Sequence, residues 1–293
     1  WARIPIGATL LTAAILWLRG GLASALPGSR NGRFDLPGSV VLFTTLFIFI
    51  MALSFARVNG WLSAPVLFLF STSAVLGLIF AWGMKRGRFT IFPRGLTAFS
   101  GFKPGASSNL LLTLASFVMW FLFPFYVVDV MGRSGFVLGV LLALMAAANF
   151  AGSAISGWLA DRIGDRQITF AGAVVTGCGL LLAGTTGGTP TMGAVVFATV
   201  VLGFGFGIHQ AAVYSLTLRG TPSRHAGASS AALSVSQTIG TVLSIALMTT
   251  LLNWQQSTNG GSFIEAYRFS YIAAAGIAVL AGAVVFKMPA NKT

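Results

Sequence analysis

The sequence has very little charge. Only 8% of its 293 residues are Asp, Glu, Lys or Arg, whereas an ordinary soluble domain is about one quarter charged. A chain this poor in charge could not cover a water-exposed surface, and 56% of its residues are hydrophobic. The composition therefore excludes a soluble globular domain and predicts a polytopic membrane protein.

Residues that bind metals or form disulfides are also scarce. The only cysteine, Cys178, lies inside an apolar run and allows no internal disulfide. The two histidines, His209 and His225, are far apart in the sequence, so no metal-ligand cluster is expected. Intramembrane catalysis needs paired groups, but His209 and Asp129 belong to different apolar runs. We therefore expect no metal, no cofactor, no catalytic residues and no enzymatic activity.

Acidic residues are the rarest charged type. Five Asp and Glu oppose eighteen Lys and Arg, which gives a formal net charge of +13. The basic residues come in ones to threes between apolar runs, without a basic motif or a stacking platform, so we expect no nucleic-acid partner. We interpret the excess as a topology signal and as attraction to anionic lipid headgroups.

Long apolar runs are what the sequence has instead. A helix needs roughly 20 mainly apolar residues to cross a bilayer, and nine runs approach or exceed this length. They predict an all-α bundle of spanning helices embedded in the lipid bilayer. The runs cover residues 5–22, 38–56, 64–83, 107–128, 135–157, 168–186, 191–216, 227–252 and 268–287.

The basic residues between these runs are distributed unequally. With nine spans, one side of the membrane receives fourteen Lys and Arg, and the other receives only Arg3, Arg57, Arg133 and Arg268. Because loops on the cytoplasmic side carry the excess of basic residues, this asymmetry supports the number of spans. It also predicts a cytoplasmic C-terminus.

The decapeptide GWLADRIGDR, residues 157–166, collects two Asp and two Arg between the fifth and sixth runs. We expect a short cytoplasmic loop here. Gly157 and Ala160 are small enough to allow close helix approach, and Gly164 gives the backbone freedom for a sharp reversal.

The charges of this decapeptide have several possible partners. Asp165 comes just before the next helix, where the macrodipole favours a negative charge. Asp161 could pair with Arg162 or Arg166, or meet the N-terminus of a neighbouring helix. Composition alone is equally consistent with a charged hairpin that only anchors two spans.

The ordered spacing G-x-L-A-D-R-x-G resembles the signature loop of the major facilitator superfamily. In that superfamily the motif joins the second and third helices of a six-helix half and forms part of the cytoplasmic gate. Asp165 departs from the pattern, since a basic residue is usual there. The resemblance implies a gate loop formed by Gly157, Leu159, Asp161, Arg162, Gly164 and Arg166.

Three further stretches, residues 1–11, 33–61 and 227–247, resemble the fourteen-helix drug:proton antiporter branch of this superfamily. The resemblance implies that most of an N-terminal half is missing, and we expect that the chain alone does not transport. The implied organisation is the sixth helix of the parent at 1–23, an inserted helix pair at 24–83, a basic cytoplasmic linker at 84–106 and a C-terminal six-helix transport half at 107–293.

Aromatic side chains are concentrated on the fourth run, at Phe117, Trp120, Phe121, Phe125 and Tyr126. An aromatic wall suits flat, lipophilic or cationic substrates through stacking and cation–π contacts. Lipid-facing and packing aromatics are the alternative. Phe121, Phe125 and Asp129 lie at successive i+4 positions and share a face, which we predict to be a cavity wall.

Asp129 is the one acid expected near membrane depth. An ionised Asp at the bilayer centre costs roughly 2.5–3.5 kcal/mol on insertion scales, so such residues are usually functional. Asp129 is close to the outer end of its run, however, and Arg133 follows at i+4. A simple interfacial ion pair is therefore the alternative to a proton or cation site.

Polar residues inside other runs complete the cavity candidates: Asn149, His209, Gln210 and Gln237. Each could line a cavity or bridge helices by a hydrogen bond, and for His209 packing competes with a role in proton transfer. The neighbouring glycines of GFGFG, residues 203–207, do not form a dinucleotide fingerprint, because no strand precedes them. Close helix packing is the better interpretation.

The function implied by the resemblance is secondary active transport: proton-coupled export of lipophilic or cationic small molecules from a bacterial cytoplasmic membrane, with the proton gradient as the energy source. The alternatives are an uptake carrier or exporter for a polar metabolite such as a sugar, amino acid or siderophore, and a non-transporting membrane scaffold. A sugar site would need several amide and acidic side chains near the midplane, and this sequence has few.

Overall fold

The computed structural model describes residues 35–89, 101–186, 191–222, 225–259 and 263–286, together with positions 12 and 99. The predicted span 5–22 lies outside the described residues, apart from position 12. Within the described part, eight helices are long and apolar enough to cross a membrane, and no strand occurs there. The predicted all-α polytopic fold is confirmed.

The eight helices follow one another with short connections. Their bounds are α1 Leu36–Asn59, α2 Ala64–Arg86, α3 Phe102–Phe125, α4 Gly135–Ile163, α5 Asp165–Thr185, α6 Met192–Arg219, α7 Ala226–Asn259 and α8 Phe263–Val285. A π-helical turn, Tyr126–Val130, extends α3.

The helices occupy the predicted apolar runs but extend further at several ends. Helix α4 runs to Ile163 instead of ending at 157, α7 runs to Asn259, and α3 begins at Phe102 inside the predicted linker. Hydropathy marks only the part of a helix that lies in hydrocarbon, whereas backbone hydrogen bonding continues into the polar interface. The segment 253–267, which separates the last two predicted runs, is therefore helical over residues 253–259 and again from Phe263.

The last six helices form a bundle in which sequential neighbours are rarely the main packing partners. Helix α6 packs against both α4 and α5, α5 also packs against α8, and α3 packs against α7 and α8. The buried core between them includes Leu112 and Met119 of α3, Leu180 of α5 and Leu202 of α6. Helix α3 thus forms much of one side of the core.

The alternating glycines of α6 make its close contacts possible. A Cβ atom at Gly203 or Gly207 would overlap the backbone carbonyl of Met145 or Asn149 on α4, and one at Gly205 would overlap the backbone of α5 at Thr176. Helices that approach this closely gain van der Waals contact, which drives association in lipid. The interpretation of GFGFG as a packing element is confirmed.

Helices α1 and α2 form a hairpin beside the bundle. The Ser73 hydroxyl of α2 donates to the Thr45 carbonyl oxygen of α1 at 3.1 Å. At the tip of the hairpin, the indole N–H of Trp61 donates to the Thr250 hydroxyl of α7 at 2.7 Å. Many of the hairpin's large apolar side chains are exposed, as expected for helices that face lipid.

Candidate functional site

The junction between α4 and α5 is almost entirely helical. Gly164 is the one non-helical residue between Ile163 and Asp165, so the expectation of a loop over 157–166 was wrong in extent. Its φ of 95° lies in the left-handed region, where glycine is favoured, which confirms the predicted reversal. The expected close helix approach at Gly157 does not occur among the described residues, because none of them from another helix comes within 4 Å of a Cβ atom built there.

Both acids of the junction are paired with one arginine from α6. Arg219, in the last turn of α6, donates through Nη2 to Asp161 Oδ1 at 3.2 Å. Its Nε lies 3.3 Å from Asp165 Oδ2. Neither pairing involves Arg162 or Arg166, which were two of the possible partners of Asp161. We call Asp161, Asp165 and Arg219 the gate cluster, and the end of the bundle that holds it the gate-loop end.

The two acids of the gate cluster differ in environment. The Asp161 side chain is 71% exposed, whereas that of Asp165 is 7% exposed. Asp165 is also the first residue of α5, where the helix dipole favours a carboxylate. Asp165, the residue that departs from the superfamily pattern, is therefore accommodated by an ion pair, since it shares Arg219 of α6 with Asp161.

The basic residues of the motif contact aromatic rings instead of acids. The guanidinium carbon of Arg162 lies 3.8 Å from the centroid of the Trp158 ring. That of Arg166 lies 4.6 Å from the centroid of the Phe286 ring, and its Nη2 donates to the Phe286 carbonyl oxygen. The contact of Arg166 connects the start of α5 to the end of α8, whereas that of Arg162 lies within α4.

A small apolar cluster lies beneath these charges. Ala160, Ile168, Ile208 and Ala212 are buried together, and Leu159 is half-buried against them. The small side chain of Ala160 thus lies in a helix contact, as predicted. The cluster joins α4, α5 and α6 next to the gate cluster.

The aromatic face of α3, formed by Phe117, Trp120, Phe121 and Phe125, lies at the margin of the core, against which Phe121 packs. Trp120 and Phe125 are 46% and 47% exposed, and Phe117 and Phe121 are half-buried. The rings of Phe121 and Phe125 are in edge contact with centroids 5.9 Å apart, and those of Phe117 and Trp120 are 6.4 Å apart. The structure thus brings these candidates together on one surface.

Asp129 is exposed beyond the aromatic face, within the π-helical turn. The alternative i+4 ion pair with Arg133 was wrong, because no such pair occurs among the described residues. The backbone N–H of Arg133 bonds to the Val127 carbonyl oxygen at 3.0 Å, and Gly132 has a φ of 63°. The helix has ended before Arg133, so regular helical spacing does not apply.

His209 lies in the interior of the bundle. It is fully buried, and its Nε2 lies 2.9 Å from the Ser108 hydroxyl of α3. Ser108 donates in turn to the Ala281 carbonyl oxygen of α8 at 2.7 Å, so Nε2 is the donor to its hydroxyl oxygen. This bridge across α6, α3 and α8 is a packing contact; a role in proton transfer stays a prediction.

Gln210 and Gln237 lie opposite each other on α6 and α7. Nε2 of Gln210 donates to Oε1 of Gln237 at 3.3 Å, and both side chains are half-buried. Asn149 is half-buried on α4, where its backbone meets Gly207. The structure brings the two glutamines together, and their role as cavity residues stays a prediction.

Two buried polar features were missed from the sequence, although Tyr126, which belongs to the first of them, had been expected on the aromatic wall of α3. Three of the chain's four tyrosines, Tyr126, Tyr267 and Tyr271, are buried together at the end opposite the gate cluster; we call them the tyrosine cluster. Asn109 of α3 is also fully buried and donates to the Leu233 carbonyl oxygen of α7 at 2.9 Å. A polar residue inside an apolar run was the available signal for Asn109.

No group of three or more potential metal ligands occurs among the residues that the structure describes. The polar and charged groups of the site are therefore an ion cluster, an exposed aromatic face with one acid, and amide or imidazole bridges between helices. The aromatic face and its acid are suited to binding a small molecule, and the ion cluster is suited to helix movement.

Comparison with known proteins extends these observations. The sequence model of the family described as Major Facilitator Superfamily matches residues 81–245 of this chain. The uncharacterized transporter YebQ of Escherichia coli is 25% identical over 96% of this chain and 59% of its own length. The triacylglyceride transporter of Mycolicibacterium smegmatis is 26% identical over 85% of this chain and 46% of its own length.

A drug-resistance protein is among the relatives as well. The multidrug resistance protein Stp of Mycobacterium tuberculosis is 22% identical over 88% of this chain and 47% of its own length. The chain thus spans about half the length of the curated relatives it matches. The family match covers more than half of the chain, and the eight membrane-length helices of the described residues form an all-α bundle. The chain is an integral membrane protein and belongs to the major facilitator superfamily.

Proposed function

We propose that the chain forms part of a proton-coupled exporter of lipophilic, often cationic, small molecules in a bacterial cytoplasmic membrane. The observation that carries this proposal is the exposed aromatic face of α3. This helix is otherwise largely buried, yet Trp120 and Phe125 are exposed. A membrane helix that offers aromatic rings beside a carboxylate has the surface that a lipophilic cation needs.

Asp129 supplies the coupling step in this proposal. Its ionised carboxylate attracts a cationic substrate, and its protonation removes the charge that holds the substrate. Binding of a proton and binding of the cation thus exclude each other at one group, so a proton that arrives from outside releases the cation to the outside. The exposure of Asp129 at the end of α3 gives both species access to it.

The gate cluster supplies the conformational step. Its pairing of Asp161 with Arg219 is solvent-exposed, and exposed ion pairs contribute little free energy. Such a pair can open and close at small cost when α4 and α6 move relative to each other. We propose that the gate-loop end and the C-terminus are cytoplasmic, since basic residues concentrate there.

Transport in this superfamily places the substrate between two helix bundles, so we propose that this chain works with a second bundle. The exposed aromatic face is the surface that such a bundle would complete. The relatives that it matches are about twice as long as the matched part. Proteoliposomes that contain only this chain should therefore show no substrate-dependent flux.

Export of a neutral lipid is the second candidate, because one relative is a triacylglyceride transporter. An uptake carrier for a sugar is less well supported. A sugar site would need several amide and acidic side chains close together, whereas Gln210 and Gln237 are the only two amide side chains in contact among the described cavity candidates. The three substrate classes differ in charge and polarity, so a single competition experiment separates them.

The test is binding of tritiated tetraphenylphosphonium to the purified chain in lipid nanodiscs. We expect saturable binding that ethidium displaces and glucose does not. Asp129→Asn should weaken binding about tenfold and remove its dependence on pH. Phe125→Ala should weaken it about two- to fivefold, which corresponds to one exposed cation–π contact.

Matched controls are available on α8. Glu265→Gln removes a carboxylate, and Phe269→Ala removes a ring as exposed as Phe125. Both should bind the cation as the unaltered chain does. Absence of saturable binding, displacement by glucose, displacement by a triacylglyceride alone, or equal losses in the controls would each contradict the proposal.

A further inference from the structure

The chain that follows α2 folds back onto the helix. Gly87 adopts a φ of 72° at the helix end, and the backbone N–H of Arg88 donates to the Gly83 carbonyl oxygen at 2.8 Å. The ring of Phe89 stacks on that of Phe80 with centroids 5.7 Å apart. It lies directly over Gly83, where any side chain would overlap the ring. The turn is therefore fixed by packing.

This turn brings two arginines to one tryptophan. The guanidinium carbon of Arg86 lies 4.1 Å from the centroid of the Trp82 ring, and that of Arg88 lies 5.5 Å from it. All three side chains are exposed. We call Trp82, Arg86 and Arg88 the arginine–tryptophan site.

The positive charge of this site has no acidic partner among the described residues. Asp161 and Asp165 are paired with Arg219, and Asp35 has a contact of its own. Asp129 and Glu265 lie toward the other end of the bundle. Two guanidinium groups held against the same ring repel each other, so a bound anion would stabilise the arrangement.

The depth of the site follows from the hairpin. The hydrogen bond from Trp61 to Thr250 places the tip of the hairpin near the far end of α7. The other end of the hairpin, with Arg86, therefore lies at the end where α7 begins and α6 finishes, which is the gate-loop end. Tryptophan and arginine at the end of a spanning helix lie at the level of lipid headgroups.

An apolar track continues from the site into the membrane. Val75, Leu78 and Ile79 are exposed and precede Trp82 by seven, four and three residues. Residues at this spacing share one face of a helix. A ligand that occupies both the arginines and this face needs an anionic head and a hydrocarbon tail.

We propose that the arginine–tryptophan site binds the headgroup of an anionic phospholipid, whose acyl chain lies along Val75, Leu78 and Ile79. The guanidinium groups offer the paired N–H donors that fit phosphate oxygens. Trp82 holds both groups at the height of the headgroup. This site is on the helix hairpin and does not depend on the proposed export activity.

Native mass spectrometry of the purified chain in detergent tests the proposal, with dioleoylphosphatidylglycerol and dioleoylphosphatidylcholine as probes. The unaltered chain should bind the anionic lipid more tightly. A basic residue near an anionic lipid surface contributes on the order of fivefold in affinity, so the double variant Arg86→Gln/Arg88→Gln should lose about 25-fold. Binding of phosphatidylcholine should change little.

The matched control is the double variant Arg133→Gln/Arg268→Gln, which removes the same charge from exposed residues at the other end of the bundle. It should retain the affinity for phosphatidylglycerol. Trp82→Leu keeps both charges and should show a smaller loss than the arginine double variant. Circular dichroism and gel filtration would establish that each variant is folded.

Glycerol phosphate distinguishes a lipid site from a site for a soluble phosphate. It has the same anionic group without the acyl chain, so it should not displace phosphatidylglycerol at millimolar concentration. Displacement by glycerol phosphate, unchanged lipid binding in the arginine double variant, or an equal loss in the control would overturn the proposal.

Discussion

The two ends of the bundle are held together by different interactions, although α5 reaches both. At the gate-loop end, Asp165 begins α5 and shares Arg219 with the exposed Asp161. At the other end, about 30 Å away along a helix of 21 residues, the carbonyl oxygen of Thr186 accepts a hydrogen bond from Tyr126 at 2.5 Å. One end is ionic and partly wet, and the other is aromatic and dry.

Separating the helices should cost more free energy at the tyrosine cluster than at the gate cluster. The ring centroids of Tyr126 and Tyr267 are 4.6 Å apart, those of Tyr267 and Tyr271 are 4.4 Å apart, and all three rings are fully buried. Moving them apart would open a cavity, whereas opening an exposed ion pair only replaces it with water. We therefore expect the gate-loop end to move and the tyrosine end to serve as the pivot.

The largest effect is expected from removing a ring at the pivot. Tyr267→Ala should lower the free energy of unfolding by about 3–5 kcal/mol, because it leaves a cavity among buried rings. Unfolding of the purified chain in mixed micelles with increasing dodecyl sulfate would measure the loss. Phe269→Ala, two residues away and exposed, is the control. Equal losses in both variants would remove the distinction between the ends.

A smaller effect is expected at the gate cluster. Arg219→Gln leaves the buried Asp165 without its cation and should cost about 2 kcal/mol, less than a fully buried pair because Arg219 is half-exposed. The difference from the unaltered chain should shrink as NaCl is raised from low to high concentration. Arg162→Gln removes the same charge nearby and should show a weaker salt dependence.

The hydrogen bond at the pivot can be removed without the ring. Tyr126→Phe should cost about 1 kcal/mol, because the Thr186 carbonyl oxygen loses its donor. Unlike the effect of Arg219→Gln, this loss should be independent of salt. Tyr214→Phe serves as a control, since its hydroxyl makes only a 3.5 Å contact with Ser234. A salt-dependent loss in Tyr126→Phe would contradict the assignment of a dry pivot.

The smallest effect is expected for the exposed acid of the gate cluster. Asp161→Asn should change the free energy of unfolding by about 0.5 kcal/mol, because its partner remains held by Asp165. Its consequence should appear in motion instead of stability. Amide hydrogen exchange in the last turn of α4 should become faster, while exchange near Tyr267 stays unchanged.

Much of the fold could be predicted because lipid imposes a length on each apolar run. The eight described helices all coincide with predicted runs, and the glycines of α6 are packing residues as expected. The helix ends were less accessible, since α4 continues through the charged motif to Ile163 and α7 runs to Asn259. Hydropathy carries no information about helical segments that leave the hydrocarbon.

The partners within the site could not be predicted, because they come from helices distant in sequence. Arg219 lies 58 residues from Asp161 and was identified only as a topology signal. The ring cluster joins Tyr126 to residues of α8, and Ser108 joins α3 to His209 of α6. Spacing along the chain predicts neighbours on one helix face, as for Phe121 and Phe125, but it does not predict which helices meet.

The single-residue connection at Gly164 has a mechanical consequence. Helices of 29 and 21 residues are joined there by a single residue. The angle between their axes therefore depends on the two backbone torsions of one glycine. When α4 tilts, either the backbone torsions of Gly164 change or α5 tilts together with α4. A tilt of α4 that Gly164 does not absorb would therefore turn α5 about its far end, where the Thr186 carbonyl oxygen accepts the hydrogen bond from Tyr126.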